Sequence, residues 1–207
     1  MPRTPNHARN ELIRSPALSD PSSTLSEIPH DSYCHAARRH HTHGPYHDSE
    51  HGFSVPTDVG LFERLLLEIN QAGLSWLAIL GKREGLRAAY DDYAIERIAC
   101  YGEADRERLL SDRRAVRNRL KVDAAISNAR TVLLLRREFG SFSGWLDAHH
   151  PRSRNDWVTL FRATFRFTGG AITPAFLVSV GYLPGAHHPA CPIYEKALAS
   201  EPRWVRG

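Results

Sequence analysis

The feature that most constrains the fold is a helical spacing of apolar residues that begins just after Pro56. The first stripe repeats at intervals of three and four residues and consists of Leu61, Phe62, Leu65, Leu66 and Ile69. This interval places the side chains on one face of a helix, whereas a half-buried strand would alternate apolar and polar residues. The stripe therefore predicts an amphipathic helix with one buried face.

A second helix is predicted directly after the first. Thr57 or Asp58 can cap the start of the first helix, and Ser75 can cap a second helix that continues to about Tyr90. Gly73 lies between the two helices and favours a tight turn. The two helices should therefore form a hairpin.

The same spacing continues through the remainder of the chain. Further helices are predicted at about 94–100, 103–111, 116–135, 142–148, 156–166 and 171–181. No pair of strand-like runs is joined by a hairpin turn, and no internal repeat stands out. The sequence therefore predicts an all-α fold.

The sequence divides into an extension and one domain. Residues 1–30 are polar, punctuated by proline and balanced in charge, which is typical of a disordered extension. Residues 31–207 are numerous enough to bury one core and are predicted to form a helical domain. A histidine-dense stretch at 30–52, interrupted by glycine and proline, is predicted to be an ordered loop.

Composition narrows the environment of the protein. No apolar run approaches the ~18 to 20 residues that span a bilayer, and the amino terminus lacks the layout of a secretion signal. We therefore expect a cytoplasmic monomer with no membrane partner.

Three cysteines are a sparse and odd set for a disulfide scaffold. Only Lys82, Lys121 and Lys196 among the 27 basic residues are lysine, and this arginine excess suits phosphate binding or reflects a GC-rich genome.

Two pairs of cysteine and histidine lie near opposite ends of the predicted domain. Cys34 and His47 form the first pair, and His187 and Cys191 form the second. Two thiolates and two imidazoles complete a tetrahedral zinc shell, which would tie the two ends together. Surface histidines without a metal are the alternative, because the chain contains 12 histidines. The other histidines that could replace an imidazole ligand are His35, His40, His41 and His188.

An acidic residue and an aromatic residue flank the predicted turn. Glu68 lies within the apolar stripe, so its carboxylate either reaches solvent on the polar helix face or needs a partner in the interior. The pattern alone favours the solvated face. Trp76 begins the second helix and is, on the same pattern, a core residue more often than a ligand platform. The polar segment 46–52 could carry chemistry or form a capped turn.

Several short segments occur in the order and spacing of one known family. They are YHDSEHG at 46–52, QAGLSW at 71–76, KRE at 82–84, VRNRLK at 116–121, NAR at 128–130, FRF at 165–167 and HHPAC at 187–191. They resemble the DNA-3-methyladenine glycosylase I family of bacterial alkylation-repair enzymes, and the resemblance covers roughly residues 33–192. Several motifs in the right order are more specific than any one of them.

The resemblance implies a fold, a metal and a base pocket. The fold would be the all-helical, helix-hairpin-helix DNA glycosylase domain, with one structural zinc ion that joins its terminal segments. The implied zinc ligands are Cys34, His47, His187 and Cys191. In the family, an acid corresponding to Glu68 hydrogen-bonds the flipped alkylated purine, and rings corresponding to Tyr46 and Trp76 stack against it. The resemblance also places Leu74 in the space that the extruded base leaves.

The sequence departs from the family pattern near the pocket and the hairpin. Ala36, His43 and His51 stand where the family has aromatic residues, which predicts a pocket with fewer aromatic walls. Arg114 stands where glycine is common, and arginine does not adopt positive φ without strain. Because that change weakens a backbone grip on phosphate, Arg117 and Arg119 would carry more of the DNA contact.

The predicted activity is hydrolysis of the N-glycosidic bond of N3-alkylated adenine in double-stranded DNA, with no strand cleavage, by an enzyme that flips the base. The positive charge of such a base makes it a good leaving group, so Glu68 would act by recognition. No general base is assigned, and Asp48 and Glu50 stay open candidates.

Two alternatives belong to other classes of protein. A zinc-dependent hydrolase would need an open metal position, which a closed set of four ligands does not leave. A helical DNA-binding protein of the same fold, catalytically inactive or altered in specificity, is compatible with the missing aromatic residues.

Overall fold

The computed structural model describes residues 28–206, and every regular element in that range is helical. The predicted all-α fold is confirmed. The predicted extension lies outside the described residues up to residue 27, and Ile28 is buried against Cys34 and Cys191. Within the described range no helix is both long and apolar enough to cross a membrane.

The helices of the described range are numbered here in chain order. They are α1 Tyr33–Ala37, α2 His43–Ser49, α3 Asp58–Gln71, α4 Trp76–Ala89, α5 Ile95–Ala99, α6 Glu103–Ser111, α7 Arg119–Phe139, α8 Phe142–His149, α9 Arg154–Thr164, α10 Ile172–Ser179, α11 Tyr194–Ala199 and α12 Arg203–Arg206. A 3₁₀ turn at Asp91–Tyr93 joins α4 to α5. Helix α7 starts three residues later than predicted because Asn118 caps it by accepting a hydrogen bond from the amide of Lys121.

The helical hairpin forms as predicted. The Thr57 side chain accepts a hydrogen bond from the amide of Gly60 at the start of α3, and the Ser75 side chain accepts one from the amide of Ala78 at the start of α4. Gly73 adopts a φ of +79° between the helices. Residues with a side chain rarely adopt that conformation, which explains why glycine occupies the turn.

The prediction of a loop over the histidine-dense stretch is wrong, because α1 and α2 lie within it. Ser32 caps α1 by accepting a hydrogen bond from the amide of His35. Pro45 is the third residue of α2. Proline is tolerated in a first helical turn, because the amides there have no partner inside the helix. The proline that suggested a break is therefore compatible with a helix start.

The prediction of a single buried face for α3 is also wrong. Residues 61–70 of this helix are all buried, including its charged and amide side chains. Helix α3 packs against α4, α7, α8 and α10, which together cover it from several sides. A helix surrounded in this way must satisfy its polar side chains internally. This burial positions the candidate site, because Arg64 and Glu68 both lie on α3.

Candidate functional site

A cavity of about 430 Å³ opens beside the carboxyl-terminal half of α3. Residues from the segments around α1 and α2 and from the start of α4 line this cavity. Small residues at 170–178 form the rest of its wall. The predicted pocket residues Tyr46, Glu68 and Trp76 all line this cavity. The structure therefore brings together three residues that the sequence spreads over 31 positions.

Glu68 lies in the interior rather than on a solvated face. Glu68 is only 8% exposed, so the solvated position that the sequence pattern favours is wrong. Burial raises the pKa of Glu68 to about 7, and the nearby positive charge of Arg64 offsets only part of that rise. Among the hydrogen bonds of residues 28–206, none reaches this carboxylate. Glu68 is thus a buried acid that faces a cavity.

Aromatic rings form the walls beside Glu68. The ring centroids of Tyr46 and Trp76 lie 5.2 Å apart in an edge-to-face arrangement. The guanidinium carbon of Arg64 lies 4.6 Å from the Tyr46 ring centroid, which fixes the ring by a cation–π contact. Trp76 also packs against the main core, so its predicted core role and its place at the cavity are compatible.

Tyr33 is a cavity residue that the sequence comparison missed. It comes directly before Cys34 in α1, and its ring centroid lies 5.2 Å from that of His51. Its hydroxyl lies 3.3 Å from Nδ1 of His43. An aromatic residue next to a predicted metal ligand was the available signal. Tyr33 adds a third aromatic wall to a pocket that the sequence predicts to have fewer aromatic walls than the family.

His51 lines the same cavity, directly after α2. Nδ1 of its ring is buried and has no hydrogen-bond partner in the described part of the chain. Burial lowers the pKa of His51 to about 3, with further lowering from the charges of His187 and Arg64. The imidazole is therefore neutral in the free protein. Arg154, exposed at the start of α9, contributes to the cavity as well.

The two open candidates for a general base are engaged elsewhere. Asp48 Oδ1 lies 2.6 Å from Nδ1 of His47. Glu50 is bound by Arg83, at 2.7 and 2.8 Å, and by Arg64, at 2.5 Å. Burial alone would raise the pKa of Glu50, but the hydrogen bonds from Arg83 and the charge of Arg64 lower it overall. Neither carboxylate lines the cavity.

A cluster of two cysteines and two histidines joins the two ends of the described chain. The ligand atoms of Cys34, His47, His187 and Cys191 lie within 4.8 Å of one another, and all four residues are buried. Nδ1 of His187 lies 3.2 Å from Nε2 of His47 and 4.0 Å from Sγ of Cys34, and Sγ of Cys191 lies 3.8 Å from Nε2 of His47. The cluster could therefore hold a metal ion.

The second ring nitrogens of the cluster are also positioned. His47 Nδ1 contacts Asp48, and Nε2 of His187 lies 2.7 Å from the backbone oxygen of His51. Such contacts fix the tautomer and the orientation of metal-ligating histidines. The alternative ligands His35, His40, His41 and His188 are not part of this group.

The turn between α3 and α4 presents apolar side chains to solvent. Leu74 is 40% exposed and Leu77 is 42% exposed. Nζ of Lys121 donates hydrogen bonds to the backbone oxygens of Asn70, at 2.8 Å, and Ala72, at 2.6 Å. Because Lys121 belongs to the first turn of α7, it holds the Leu74 turn against the helix that follows the predicted hairpin.

Hydrogen bonds within the turn between α6 and α7 stabilise this hairpin. Asp112 accepts a hydrogen bond at 2.8 Å from the backbone amide of Arg114 and also pairs with its guanidinium. Arg114 does not adopt positive φ. Arg119 pairs with Glu103 at 3.0 Å, whereas Arg117 is exposed and makes no ion pair with residues 28–206. Of the two arginines predicted to contact DNA, Arg119 is thus engaged in an ion pair, whereas Arg117 has none within the described residues.

Comparisons with known proteins agree with this architecture. Residues 36–159 match the family described as methyladenine glycosylase. The chain is 33% identical over 168 residues to DNA-3-methyladenine glycosylase 1 of Escherichia coli strain K12, covering 72% of this chain and 89% of that protein. A relative from Haemophilus influenzae, DNA-3-methyladenine glycosylase, is 34% identical over 113 residues, covering 54% of this chain and 61% of that protein.

Solved structures give the same result. A crystal structure of a 3-methyladenine DNA glycosylase I superimposes with a TM-score of 0.63 at 31% identity, over 70% of this chain and 90% of that one. The Staphylococcus aureus structure, described as the structural basis of 3-methyladenine recognition, superimposes with a TM-score of 0.67 at 26% identity, over 77% and 96% of the two chains.

These matches place the fold among helical DNA glycosylases. The chain belongs to the methyladenine glycosylase family. The resemblance seen in the sequence motifs is confirmed, and with it the prediction of an enzyme of the DNA-3-methyladenine glycosylase I type. The roles assigned to individual side chains stay predictions.

Proposed function

We propose that the protein hydrolyses the N-glycosidic bond of N3-alkylated adenine in double-stranded DNA, after the damaged nucleotide has flipped into the cavity. One observation carries this proposal: the buried carboxylate of Glu68 faces a cavity walled by Tyr33, Tyr46 and Trp76. An enclosed acid between aromatic rings suits a flat, cationic ligand, because the rings can stack on it and the acid can balance its charge. The names of the relatives agree with this substrate.

The proposed chemistry relies on recognition more than on acid catalysis. Flipping a base out of duplex DNA costs a few kcal/mol, and this cost is smallest for damaged bases. An N3-alkylated adenine is positively charged and leaves readily when water attacks the sugar carbon. A cation in the cavity would lower the raised pKa of Glu68, because a nearby positive charge favours the carboxylate form. Substrate binding and ionisation of Glu68 therefore support each other.

Asp48 and Glu50 are assigned no catalytic role in this proposal. Asp48 orients a histidine of the Cys/His cluster, and Glu50 anchors the segment after α2 to α3 and α4 through Arg64 and Arg83. Glu50 thereby helps to hold Tyr46, since Arg64 stacks on the Tyr46 ring. Both residues act on the position of the pocket rather than on the reacting bond.

We also propose that the Cys/His cluster binds one structural zinc ion. In a tetrahedral zinc site with bonds of about 2.0 to 2.3 Å, neighbouring ligand atoms lie about 3.3 to 3.8 Å apart. The separations of 3.2, 3.8 and 4.0 Å in the cluster lie in or near this range, and all four ligand atoms lie within 4.8 Å of one another. Four protein ligands leave no open position, so the metal would stabilise the fold rather than activate water.

The DNA contacts follow from the exposed turn and the hairpin. We propose that Leu74 enters the space left by the flipped base and that Arg117 contacts a phosphate. Lys121 supports the first contact by holding the Leu74 turn, and the exposure of Arg117 supports the second. The amide of Arg114 is already bound by Asp112, so side chains have to supply phosphate contacts that a backbone amide would otherwise make.

The first prediction is that the purified protein releases free 3-methyladenine from methylated duplex DNA and leaves abasic sites in an intact backbone. Chromatography of the released bases measures the first product, and alkaline cleavage of the recovered DNA reveals the second. The Escherichia coli relative serves as a positive control. If that enzyme releases the base and this protein does not, the inactive DNA-binding alternative replaces the enzyme.

A second prediction compares the two hairpin arginines. Arg117→Ala should weaken binding to undamaged duplex DNA and reduce the slope of log affinity against log salt by about 1, as expected for one lost phosphate contact. Arg119→Ala should have a smaller effect, because the Arg119 guanidinium already pairs with Glu103. Fluorescence anisotropy titrations at several salt concentrations measure both slopes. Equal slopes for both variants would contradict the assignment.

A further inference from the structure

His51 lines the cavity, and one nitrogen of its ring is buried without a partner in the described structure. Nδ1 of His51 is shielded from solvent and makes no hydrogen bond with residues 28–206. A buried polar atom left without a partner destabilises a protein, so most such atoms in folded proteins are paired. Because His51 is also one of the residues that line the cavity, a ligand bound there is the available partner for this nitrogen.

The surroundings of the His51 ring do not supply that partner. Its centroid lies 5.2 Å from that of Tyr33, 5.6 Å from that of Tyr46 and 5.8 Å from that of His187. These are packing contacts between rings, and none of them is a hydrogen bond to Nδ1. The imidazole of His187 is directed instead at the backbone oxygen of His51. The His51 ring is therefore held in place with one polar atom unused.

The geometry points to His51 as a second polar contact to the bound base, beside Glu68. The inference rests on the proposed function, because the ligand it requires is the flipped alkylated purine. A carboxylate can only accept hydrogen bonds, whereas an imidazole ring carries at least one N–H donor in either charge state. Glu68 can accept from the exocyclic amine of adenine, and His51 can donate to a ring nitrogen beside that amine.

This division of contacts matches the edge chemistry of adenine. Its exocyclic amine is a donor, and the ring nitrogens on either side of it, N1 and N7, are acceptors. One acceptor and one donor in the protein therefore read two neighbouring atoms of the base. The pair makes His51 a specificity residue, since a base without a ring acceptor next to its amine would leave Nδ1 unpaired again.

Binding of the free base tests His51 apart from bond hydrolysis. The probes are 3-methyladenine and its 1-deaza and 7-deaza analogues, in which one ring nitrogen is replaced by C–H. Isothermal titration measures their affinities for the zinc-loaded wild type and for His51→Phe. The wild type should bind one analogue about three- to tenfold more weakly than 3-methyladenine, as expected for one net hydrogen bond. His51→Phe should bind 3-methyladenine more weakly by a similar factor. It should bind 3-methyladenine and the analogue that the wild type discriminates against with equal affinity.

Controls separate recognition from folding. His41→Phe changes an exposed histidine of the same region and should keep the wild-type discrimination. His51→Gln keeps an N–H donor and should recover part of the discrimination, and metal content and melting temperature report the fold of each variant. Wild-type discrimination that persists in His51→Phe, or equal affinities of wild type and His51→Phe, would overturn the role of His51 alone. Absence of any 3-methyladenine binding by the wild type would overturn the proposed function together with this contact.

Discussion

Replacing Cys191 with serine should abolish metal binding and lower the melting temperature by roughly 10 to 20 °C. Cys191 contacts the cluster from the carboxyl-terminal side, whereas Cys34 and His47 contact it from the amino-terminal side. A metal that bridges these segments contributes its binding free energy to folding. If the variant loses about 5 kcal/mol, a domain of this size should melt roughly 10 to 20 °C lower.

Metal analysis and melting curves on the same preparations measure both effects. The wild type should contain about one zinc ion per chain. Cys100→Ser is the matched control, because Cys100 is exposed and stands outside the cluster. It should change neither metal content nor melting temperature. A Cys191→Ser protein that is as stable as the wild type, with the same metal content, would remove the site.

The parts of the fold that the sequence predicts well are those that depend on local chemistry. The caps at Thr57 and Ser75 and the glycine turn at Gly73 each depend on a few neighbouring residues, and all three form as predicted. The sequence does not predict helix α2 because proline usually interrupts a helix, although a first helical turn accepts Pro45. Local patterns thus locate a helix more reliably than they exclude one.

The environment of the pocket residues depends on contacts that a local pattern does not contain. The stripe on α3 favoured a solvated Glu68, yet α10, about 100 residues later in the chain, packs against α3 and helps to enclose it. Tyr33 and His51 line the cavity beside the Cys/His cluster, since Tyr33 directly precedes Cys34 and His187 contacts the backbone oxygen of His51. Motif order identified the family and the pocket residues Tyr46, Glu68 and Trp76, whereas the wall formed by Tyr33 and the burial of Glu68 required the structure.

Glu68→Gln should lower single-turnover excision by about one to two orders of magnitude while keeping or raising stability. Glutamine preserves the shape of the side chain and one acceptor but removes the charge that balances a cationic purine. A charge-assisted hydrogen bond contributes roughly 1.5 to 3 kcal/mol, and each ~1.4 kcal/mol corresponds to a tenfold change in rate. The lost charge therefore accounts for the expected loss of rate.

The effect on stability should depend on pH with a defined sign. The pKa of Glu68 is raised from 4.5 to about 7, so the folded state binds its proton more tightly than the unfolded state. Folding is therefore favoured below about pH 4.5, and this advantage is lost as the pH rises through 7. Glutamine does not ionise, so Glu68→Gln should be more stable than the wild type at pH 8, by up to about 3 kcal/mol. Wild-type excision should fall as the pH drops below the pKa that Glu68 has when the damaged base is bound.

Glu63→Gln is the matched control on the same helix. Glu63 is also buried, but it pairs with Arg83 at 2.9 Å and with Arg87 at 2.9 Å instead of facing the cavity. Removing its charge leaves two arginines short of a partner, so this variant should be less stable than the wild type while its folded fraction excises normally. Melting curves at pH 5 and pH 8, run beside single-turnover excision, separate the two acids. An unchanged excision rate in Glu68→Gln would remove Glu68 from base recognition.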